Sequence, residues 1–330
     1  MQLTSPGFFK QDVRVCLTVP FFVDLIRMKG CFFVFKKSKK LISAERIKDS
    51  LEIFSCPICS QQMKVMHLQS LVCINQHCFD IAKQGYINLS SRSTSSKYDR
   101  QTFETRRIIS QSGLFHPLQA AVSEIIVSHL QGKEPIRLLD AGCGEGSHLN
   151  SIQTIINQRK RNALLAVGID ISKEGISLAA AEYSNAMWCV ADIANIPLAN
   201  QQFNFIINIL SPANYSEFQR LLTNHGLLIK VIPEQHYLAE LRDILYKGTD
   251  KQVYSNTPTI RYFNERFNLI AVENIQYQVS LSEHLIPPLL EMTPLSWGAS
   301  QESREQILRM DLRKITMDFK ILVGMIPSQN

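Results

Sequence analysis

The hydrophobic and polar positions between residue 136 and the C-terminus change repeatedly from one period to another. Seven apolar runs have the composition of buried or half-buried strands, and they cover 136–139, 164–170, 187–191, 203–210, 225–232, 267–280 and 316–325. Segments with helical spacing lie between them, among them 172–183 and 237–246. Strands that alternate with helices predict an α/β fold around a mainly parallel sheet.

The first of these strands runs into a glycine-rich segment. Glycine lets the backbone turn tightly and approach a ligand more closely than a side chain permits. The order D-x-G-x-G-x-G differs from the G-x-G-x-x-G of dinucleotide-binding proteins. It resembles the S-adenosylmethionine loop of Rossmann-like methyltransferases, although a glycine turn in another α/β fold is an alternative. The resemblance implies that the cofactor contacts Asp140, Gly142, Gly144, Glu145 and Gly146.

Polar residues follow three further strands, and the carboxyl ends of parallel strands meet at one edge of a sheet. Asp170 ends the second strand and is expected to accept hydrogen bonds from the ribose hydroxyls, unless it caps the next helix. Asp192 follows the third strand, where related enzymes hold the adenine. The segment 211–214 is expected to position the atom that is methylated. No carboxylate lies between 208 and 214, so no general base is assigned.

A second pattern of chemical interest lies before the α/β region and has the form Cys-x2-Cys-x13-Cys-x3-His. Its members are Cys56, Cys59, Cys73 and His77. Two close pairs of soft or borderline ligands predict a tetrahedral zinc site, and four protein ligands predict a structural one. A disulfide pair or buried free thiols are the alternatives, and Cys78 is a spare thiol. The eight cysteines are too scattered for a small secreted scaffold.

Composition describes a globular protein with a basic beginning. The chain has 330 residues, 45% of them hydrophobic, and a net charge of +6. The first fifty residues hold 10 Lys and Arg against 4 Asp and Glu, which leaves the remainder neutral. The apolar stretch 15–23 is too short to span a bilayer and lacks a convincing cleavage site, so a cytoplasmic protein is expected. The basic run 36–40 indicates a solvated tether or a phosphate contact.

The segment after the zinc pattern carries a resemblance to a known family. The string His77-x-Phe79-Asp80-x-Ala82-Lys83-x-Gly85-Tyr86-x-Asn88-Leu89 resembles the bacterial 23S rRNA guanine-N1 methyltransferases of the RlmA family. The resemblance covers about residues 54–326. It implies methyl transfer from S-adenosylmethionine to N1 of a guanine in a hairpin loop, with zinc as a second cofactor.

Three positions outside the two main motifs match the family with differing fidelity. Phe115 stands where an aromatic lies against the cofactor. Tyr237 occupies the place of a histidine that borders the cofactor in the family, with His236 one position earlier. The Met-Thr-Pro segment that ends at Trp297 implies a lid or core packing. Arg106 and Arg107 fit either phosphate or cofactor contacts or surface ion pairs, and both readings stay open.

The predicted architecture is a seven-stranded Rossmann-like methyltransferase domain with a small N-terminal zinc-binding domain. The expected divisions are an extension at 1–50, the zinc module at 51–90, a linker and helix at 91–128 and the methyltransferase domain at 129–330. A methyltransferase for a small molecule or a protein is one alternative. A non-enzymatic zinc-containing RNA-binding protein is another, which the intact loop and Asp170 disfavour. The partner is expected to be 23S rRNA, and a homodimer is left open.

Overall fold

The computed structural model describes residues 23–28, 31–90, 98–130, 135–159, 164–249, 252 and 254–327. The chain divides into two compact units, Met1–Ser38 and Lys39–Asn330. In the first unit β1 (Val23–Met28) and β2 (Cys31–Lys36) form an antiparallel hairpin. The apolar stretch at 15–22 and the linker at 91–97 lie outside the described residues. Among the described residues, no helix has the length and apolar content needed to cross a membrane.

The second unit starts with α1 (Lys39–Lys48) and a three-stranded antiparallel ribbon. The ribbon strands are β3 (Met63–Met66), β4 (Ser70–Cys73) and β5 (Cys78–Asp80). The sheet strands are β6 (Tyr86–Asn88), β7 (Ile136–Ala141), β8 (Leu164–Asp170), β9 (Met187–Val190), β10 (Phe203–Ile209), β11 (Leu222–Pro233), β12 (Asn268–Ser280) and β13 (Lys314–Met325). The remaining α-helices are α2 (Arg100–Gln111), α3 (His116–Ser128), α4 (Ser147–Arg159), α5 (Lys173–Glu182), α6 (Tyr215–Leu221), α7 (Ala239–Leu245), α8 (Thr257–Asn264), α9 (Ile286–Met292) and α10 (Gln301–Arg309).

The main sheet has eight strands in the order β12-β13-β11-β10-β7-β8-β9-β6. Strands β6 to β11 are mutually parallel, whereas β13 runs antiparallel to β11 and β12 runs antiparallel to β13. The seven predicted strands are all present, and the α/β prediction is confirmed. The strand count of seven was wrong, because β6 pairs with β9 and adds an eighth strand. Ile87 is fully buried at this junction, which explains why the short strand is held there.

Two apolar layers cover the two faces of this sheet, because successive side chains of a strand point to opposite sides. Leu138, Ile207 and Ile229 belong to one layer, with apolar residues of α3, α4 and α5. Their neighbours Leu139, Ile206 and Leu228 belong to the other layer. That second layer also contains Leu71 of the ribbon and Ile47 of α1. The ribbon therefore shares its hydrophobic core with the sheet.

Polar contacts also join α1 and the ribbon to the sheet region. Ser43 donates to the Gly85 carbonyl over 2.5 Å, and Arg46 donates to the Ala186 carbonyl over 3.2 Å. The Ser55 amide donates to the Pro197 carbonyl over 3.1 Å. Helix α1 falls within the predicted extension at 1–50, yet it packs as part of the second unit. The boundaries at residues 50, 90 and 128 stay predictions.

Candidate active site and metal centre

The four predicted zinc ligands come together in the ribbon. One donor atom from each of Cys56, Cys59, Cys73 and His77 lies within 4.8 Å of all the others. The Cys59 and Cys73 sulfurs are 3.7 Å apart, and His77 Nδ1 lies 3.4 Å from the Cys73 sulfur. Tetrahedral zinc, with bonds of about 2.3 Å to sulfur and about 2.0 Å to nitrogen, requires an S–S separation of roughly 3.8 Å and an S–N separation of roughly 3.5 Å. The donor set fits a structural zinc ion and leaves no position for water.

Tight turns aim these ligands at one point. The Ser60 amide donates to the Cys56 carbonyl over 2.8 Å, and the Gln76 amide donates to the Cys73 carbonyl over 3.0 Å. Ser60 and Gln76 both adopt positive φ, at 56° and 63°. Hydrogen bonding from the Gln61 backbone lowers the pKa of the Cys59 thiol to about 6, which favours the thiolate that binds metal. Cys78 is exposed on β5 and does not belong to the cluster.

The glycine-rich loop joins β7 to α4 at the carboxyl edge of the sheet. Gly142, Gly144 and Gly146 have φ of +86°, +56° and +82°, a region that side chains disfavour. The amides of Gly142 and Cys143 donate to the Ile169 carbonyl over 2.8 and 2.9 Å and so fix the loop to β8. A Cβ at Gly146 would lie 2.5 Å from the Trp188 ring. The Trp188 ring therefore leaves no room for a larger residue at position 146.

Three acids lie at this loop, and burial raises the pKa of each. Asp140 is 1% exposed, and its Oδ2 has no hydrogen-bond partner among the described residues. Burial, followed by the charges of Asp170 and Glu145, raises the Asp140 pKa well above its ordinary value. Burial also raises the pKa of Asp170 and of Glu145. A buried carboxylate oxygen without a partner needs a donor or a cation, so the surroundings of Asp140 suit a donor group or a positive charge of a ligand.

The hydrogen bonds of Asp170 distinguish between its two predicted roles, contact with the ribose and capping of α5. Its Oδ2 accepts from the Gly144 amide over 2.9 Å and its Oδ1 from the Ser172 amide over 2.8 Å. The helix cap of α5 is Ser172, whose side chain accepts from the Gly175 amide. Asp170 therefore does not cap α5. It fixes the glycine loop, and each carboxylate oxygen has capacity for a further donor.

The two adjacent arginines of α2 differ in their surroundings. Arg107 lies 3.4 Å from Glu182 in a partly exposed ion pair. The Arg106 guanidinium lies 4.2 Å from the centre of the Tyr98 ring. Its charge opposes the effect of burial on the pKa of Glu145 and of Asp170. The charge of Arg106 thus acts on two acids of the loop, whereas Arg107 forms a surface ion pair.

Phe115 and Tyr237 belong to one buried aromatic layer beside the loop. The Phe115 ring lies 6.2 Å from Phe319, and the Tyr237 ring lies 5.1 Å from the same side chain. Phe115 also meets the His148 ring edge-on at 4.9 Å, and burial lowers the His148 pKa to about 4. Asp192 is partly buried after β9, where its Oδ1 accepts from the Ala194 amide over 2.8 Å.

A buried polar network connects the segment 211–214 to the glycine loop. Asn208 Nδ2 donates to the Ala141 carbonyl over 2.6 Å and to the Pro212 carbonyl over 3.0 Å. The Lys230 amine donates to Asn208 Oδ1 and to the Ser211 carbonyl. Burial lowers the Lys230 pKa to about 8. The network holds the end of β10 against the end of β7, so the glycine loop and the segment 211–214 are adjacent.

Sequence reasoning missed Asn208 and Lys230 as site residues. A lysine inside the apolar run of β11 is the signal that could have found this network, since lysine is rarely buried without a partner. The strand register places Asn208 opposite Lys230. That pairing depends on the sheet order and is not contained in either strand alone.

Comparisons with protein families match two separate parts of the chain, the ribbon segment and the α/β region. Residues 54–90 match the family described as RlmA, N-terminal, a zinc ribbon, and residues 133–259 match a methyltransferase domain. The protein named "Putative 23S rRNA (guanine-N(1)-)-methyltransferase YxjB" of Bacillus subtilis (strain 168) is 39% identical over 83% of this chain and 97% of its own length. The 23S rRNA (guanine(748)-N(1))-methyltransferase of Streptomyces fradiae is 27% identical over 76% of this chain and 88% of its own length.

The fold, the glycine loop and the metal cluster define an S-adenosylmethionine-dependent methyltransferase with a zinc ribbon. Its cofactors are S-adenosylmethionine and zinc, as predicted. The chain belongs to the RlmA family of 23S rRNA guanine-N1 methyltransferases. The predicted family and enzyme class are confirmed.

Proposed function

We propose that this chain transfers a methyl group from S-adenosylmethionine to N1 of a guanine in a hairpin loop of 23S rRNA, in the cytoplasm. The observation that carries the proposal is the match to YxjB, which spans ribbon and methyltransferase region together and 97% of that relative. The Streptomyces fradiae protein, which is named for methylation of a 23S rRNA guanine at N(1), matches over 76% of the chain.

The electrostatics of the loop support the cofactor part of the proposal. S-adenosylmethionine carries a sulfonium and an ammonium group, and a positive charge bound beside Asp140, Glu145 and Asp170 would offset the burial that raises the pKa of these three acids. We assign Asp170 to the ribose hydroxyls and Asp192 to the adenine side. Phe115 and Tyr237 belong to the same hydrophobic cluster as Cys143 of the loop. The two rings therefore form an apolar wall beside the loop. Such a wall excludes water from the reacting atoms.

Positioning is the main contribution that the protein makes to the reaction. The sulfonium of the cofactor supplies an already activated methyl group, so an N1–carbon bond forms as the carbon–sulfur bond breaks. The segment 211–214 adjoins the glycine loop, because a Cβ added at Gly142 would collide with the Ser211 side chain. We infer that this segment receives the guanine edge. Alignment of nucleophile, carbon and leaving sulfur is worth several powers of ten in rate.

N1 of guanine carries a proton that must leave, and the nearby acids are engaged elsewhere. Glu217 lies 2.7 Å from Arg220 and accepts from the Ile196 amide over 2.7 Å. Burial opposes these hydrogen bonds, yet the net result lowers the Glu217 pKa. Glu234 pairs with Lys320, and its pKa is also lowered against the effect of burial. Both are weak bases held in ion pairs, so we assign no general base.

The test is to identify the methylated nucleoside. Purified protein, labelled S-adenosylmethionine and a 23S rRNA transcript are incubated, and the digested nucleosides are separated by mass spectrometry. We expect labelled 1-methylguanosine, and one primer-extension stop, since N1 methylation blocks base pairing. Label in another nucleoside, or transfer only to small molecules or proteins, would contradict the proposal. Sedimentation of the same protein measures whether it forms a homodimer.

A further inference from the structure

An exposed aromatic ring lies close to the cofactor loop and has no role in the core. Trp297 is 38% exposed, and its ring centre lies 5.0 Å from that of Tyr98 at an angle of 57°. The Arg106 guanidinium lies 4.2 Å from the centre of the Tyr98 ring. Trp297, Tyr98 and Arg106, here called the aromatic cluster, thus combine two rings and one planar cation. An exposed tryptophan beside a second ring and a guanidinium needs an explanation beyond packing, because exposure of its ring to water is unfavourable.

The backbone beneath Trp297 is firmly held. The Trp297 amide donates to the Pro294 carbonyl over 3.1 Å, and the next residue, Gly298, has a φ of +105°. Ser296 is fully buried, and its carbonyl accepts from Arg304 over 2.6 Å. The ring is therefore presented to solvent from an ordered turn. Such rigidity lowers the entropic cost of binding a planar ligand.

The aromatic cluster is connected to the cofactor loop through Phe103. Phe103 lies 5.9 Å from Tyr98, and its ring would lie 3.6 Å from a Cβ at Gly144. Arg106 lies 5.5 Å from the Phe103 ring, and its charge acts on Asp170. Two rings, Tyr98 and Phe103, thus lie between the exposed Trp297 ring and the glycine loop, a separation that a large substrate can span while its reacting atom enters the site.

We propose that the aromatic cluster is a stacking platform for an unpaired base of the RNA substrate, beside the site of methyl transfer. This inference rests on the proposed function. Sequence-specific enzymes that act on RNA loops hold unstacked bases on aromatic and guanidinium planes. Every nucleobase has a flat apolar face, so a stacked indole binds a base without hydrogen-bond readout. The positive charge of Arg106 supports the same occupant, because the RNA strand is anionic.

The experiment compares Trp297→Ala, Trp297→Phe and Tyr98→Leu with Leu308→Ala. Leu308 is 49% exposed on α10 and takes no part in the described contacts of the aromatic cluster, so it controls for loss of an exposed apolar side chain. Methylation of the 23S rRNA transcript gives kcat and KM for RNA, and titration calorimetry gives the affinity for S-adenosylmethionine. Thermal unfolding checks that each variant is folded.

We expect Trp297→Ala to raise KM for RNA about tenfold, since a base stacked on an aromatic ring contributes roughly 1–3 kcal/mol. Trp297→Phe should recover most of this loss, and Tyr98→Leu should reproduce it. Cofactor affinity should stay unchanged in Trp297→Ala, and Leu308→Ala should behave as wild type. An unchanged KM in Trp297→Ala, or a loss confined to cofactor binding, would overturn the platform. Absence of 1-methylguanosine with wild-type protein would instead overturn the proposed function.

The two tryptophans of the chain offer a direct optical readout of the platform. Trp188 is buried and Trp297 is exposed, so emission quenched by added RNA comes from Trp297 if a base stacks on it. The transcript should quench wild-type emission and leave Trp297→Phe emission unchanged. Equal quenching of both proteins would show that no base reaches Trp297, and would contradict the platform independently of turnover.

Discussion

At the scale of single residues, the buried Asp140 carboxylate destabilises the folded protein when no cofactor is bound, and it can pair with a positive charge of the cofactor when one is. Burial raises its folded-state pKa above the ordinary value of 3.8, so the folded state holds its proton more tightly than the unfolded state. Stability from this group is therefore present at low pH and is lost as pH rises from 3.8 through the raised folded value. A cationic ligand at the carboxylate reverses this penalty.

Asp140→Asn should raise the Tm of the cofactor-free protein at pH 8 and abolish most of its S-adenosylmethionine binding. The amide has the same shape and carries no charge, so the Tm difference from wild type should shrink toward pH 4. Asp243→Asn removes an exposed acid of α7 and serves as the control. Calorimetry at several pH values measures both effects. A Tm equal to wild type at pH 8 would show that Asp140 carries no such penalty.

Lys230 is the second residue whose surroundings predict a measurable effect. Its amine fixes the Ser211 carbonyl and Asn208, next to Leu210, which adopts a φ of +50°. A left-handed backbone at a leucine is disfavoured and persists only where neighbours impose it. Lys230→Met keeps the volume and removes the donor, which leaves the buried Asn208 Oδ1 and the partly buried Ser211 carbonyl with fewer partners.

We expect Lys230→Met to lower kcat about 10- to 100-fold, corresponding to roughly 1–3 kcal/mol for unsatisfied buried acceptors. Affinity for S-adenosylmethionine should change little, because the glycine loop keeps its hydrogen bonds to β8. Lys320→Met is the matched control, since Lys320 lies on a neighbouring strand and pairs with Glu234. Steady-state kinetics of both variants separate the effects. Similar kcat losses in the two variants would mean that the network has no special part in positioning.

At the scale of elements, the ribbon and its metal site are followed directly in the chain by β6, a strand of the main sheet. The site depends on Cys73 at the end of β4, whereas Cys78 on β5 is exposed. Asp140 and Asp170 stand on β7 and β8, and β9 separates both strands from β6. Loss of zinc should therefore act on the ribbon first and on the cofactor pocket only indirectly.

Cys73→Ser should release one zinc ion per chain and lose rRNA methylation. Cofactor affinity should stay within about threefold at 20 °C, since Phe115, Tyr237 and Cys143 belong to the apolar layer that Leu71 of the ribbon does not join. Cys78→Ser should retain zinc and full methylation, because Cys78 is outside the cluster. Metal analysis, methylation of the transcript and calorimetry measure the three quantities. Full methylation by metal-free Cys73→Ser at low RNA concentration would contradict a role of the ribbon in substrate recognition.

Local patterns and long-range pairing differ in how well the sequence predicts them. The glycine loop, the four zinc ligands and the seven strands follow from residues that are neighbours in the chain, and each was predicted. Strand β6 was missed because three residues carry too little periodicity to predict a strand, and its partner β9 lies about a hundred residues later. Lys230 and the packing of α1 were missed for the same reason, since both depend on contacts between distant segments.

At the scale of the whole molecule, the shared core predicts cooperative unfolding of residues 39–327. Ribbon residue Leu71 and strand residues Leu139 and Ile206 belong to one apolar layer, so the ribbon cannot separate without exposing the face of the sheet. The polar contacts of Ser43 and Arg46 add to this connection. Domains joined only by a linker would unfold independently, whereas a common core makes them unfold together.

We therefore expect a single thermal transition that both cofactors move. S-adenosylmethionine at a hundred times its Kd should stabilise the folded state by about 2.7 kcal/mol and raise Tm by roughly 5–10 °C, because it binds only the folded protein. Removal of zinc by a chelator should lower the same transition. Differential scanning calorimetry on the full chain, with each treatment alone and combined, measures these shifts. Two resolved transitions, with zinc moving one and S-adenosylmethionine the other, would contradict a shared core and indicate that the ribbon unfolds as a separate domain.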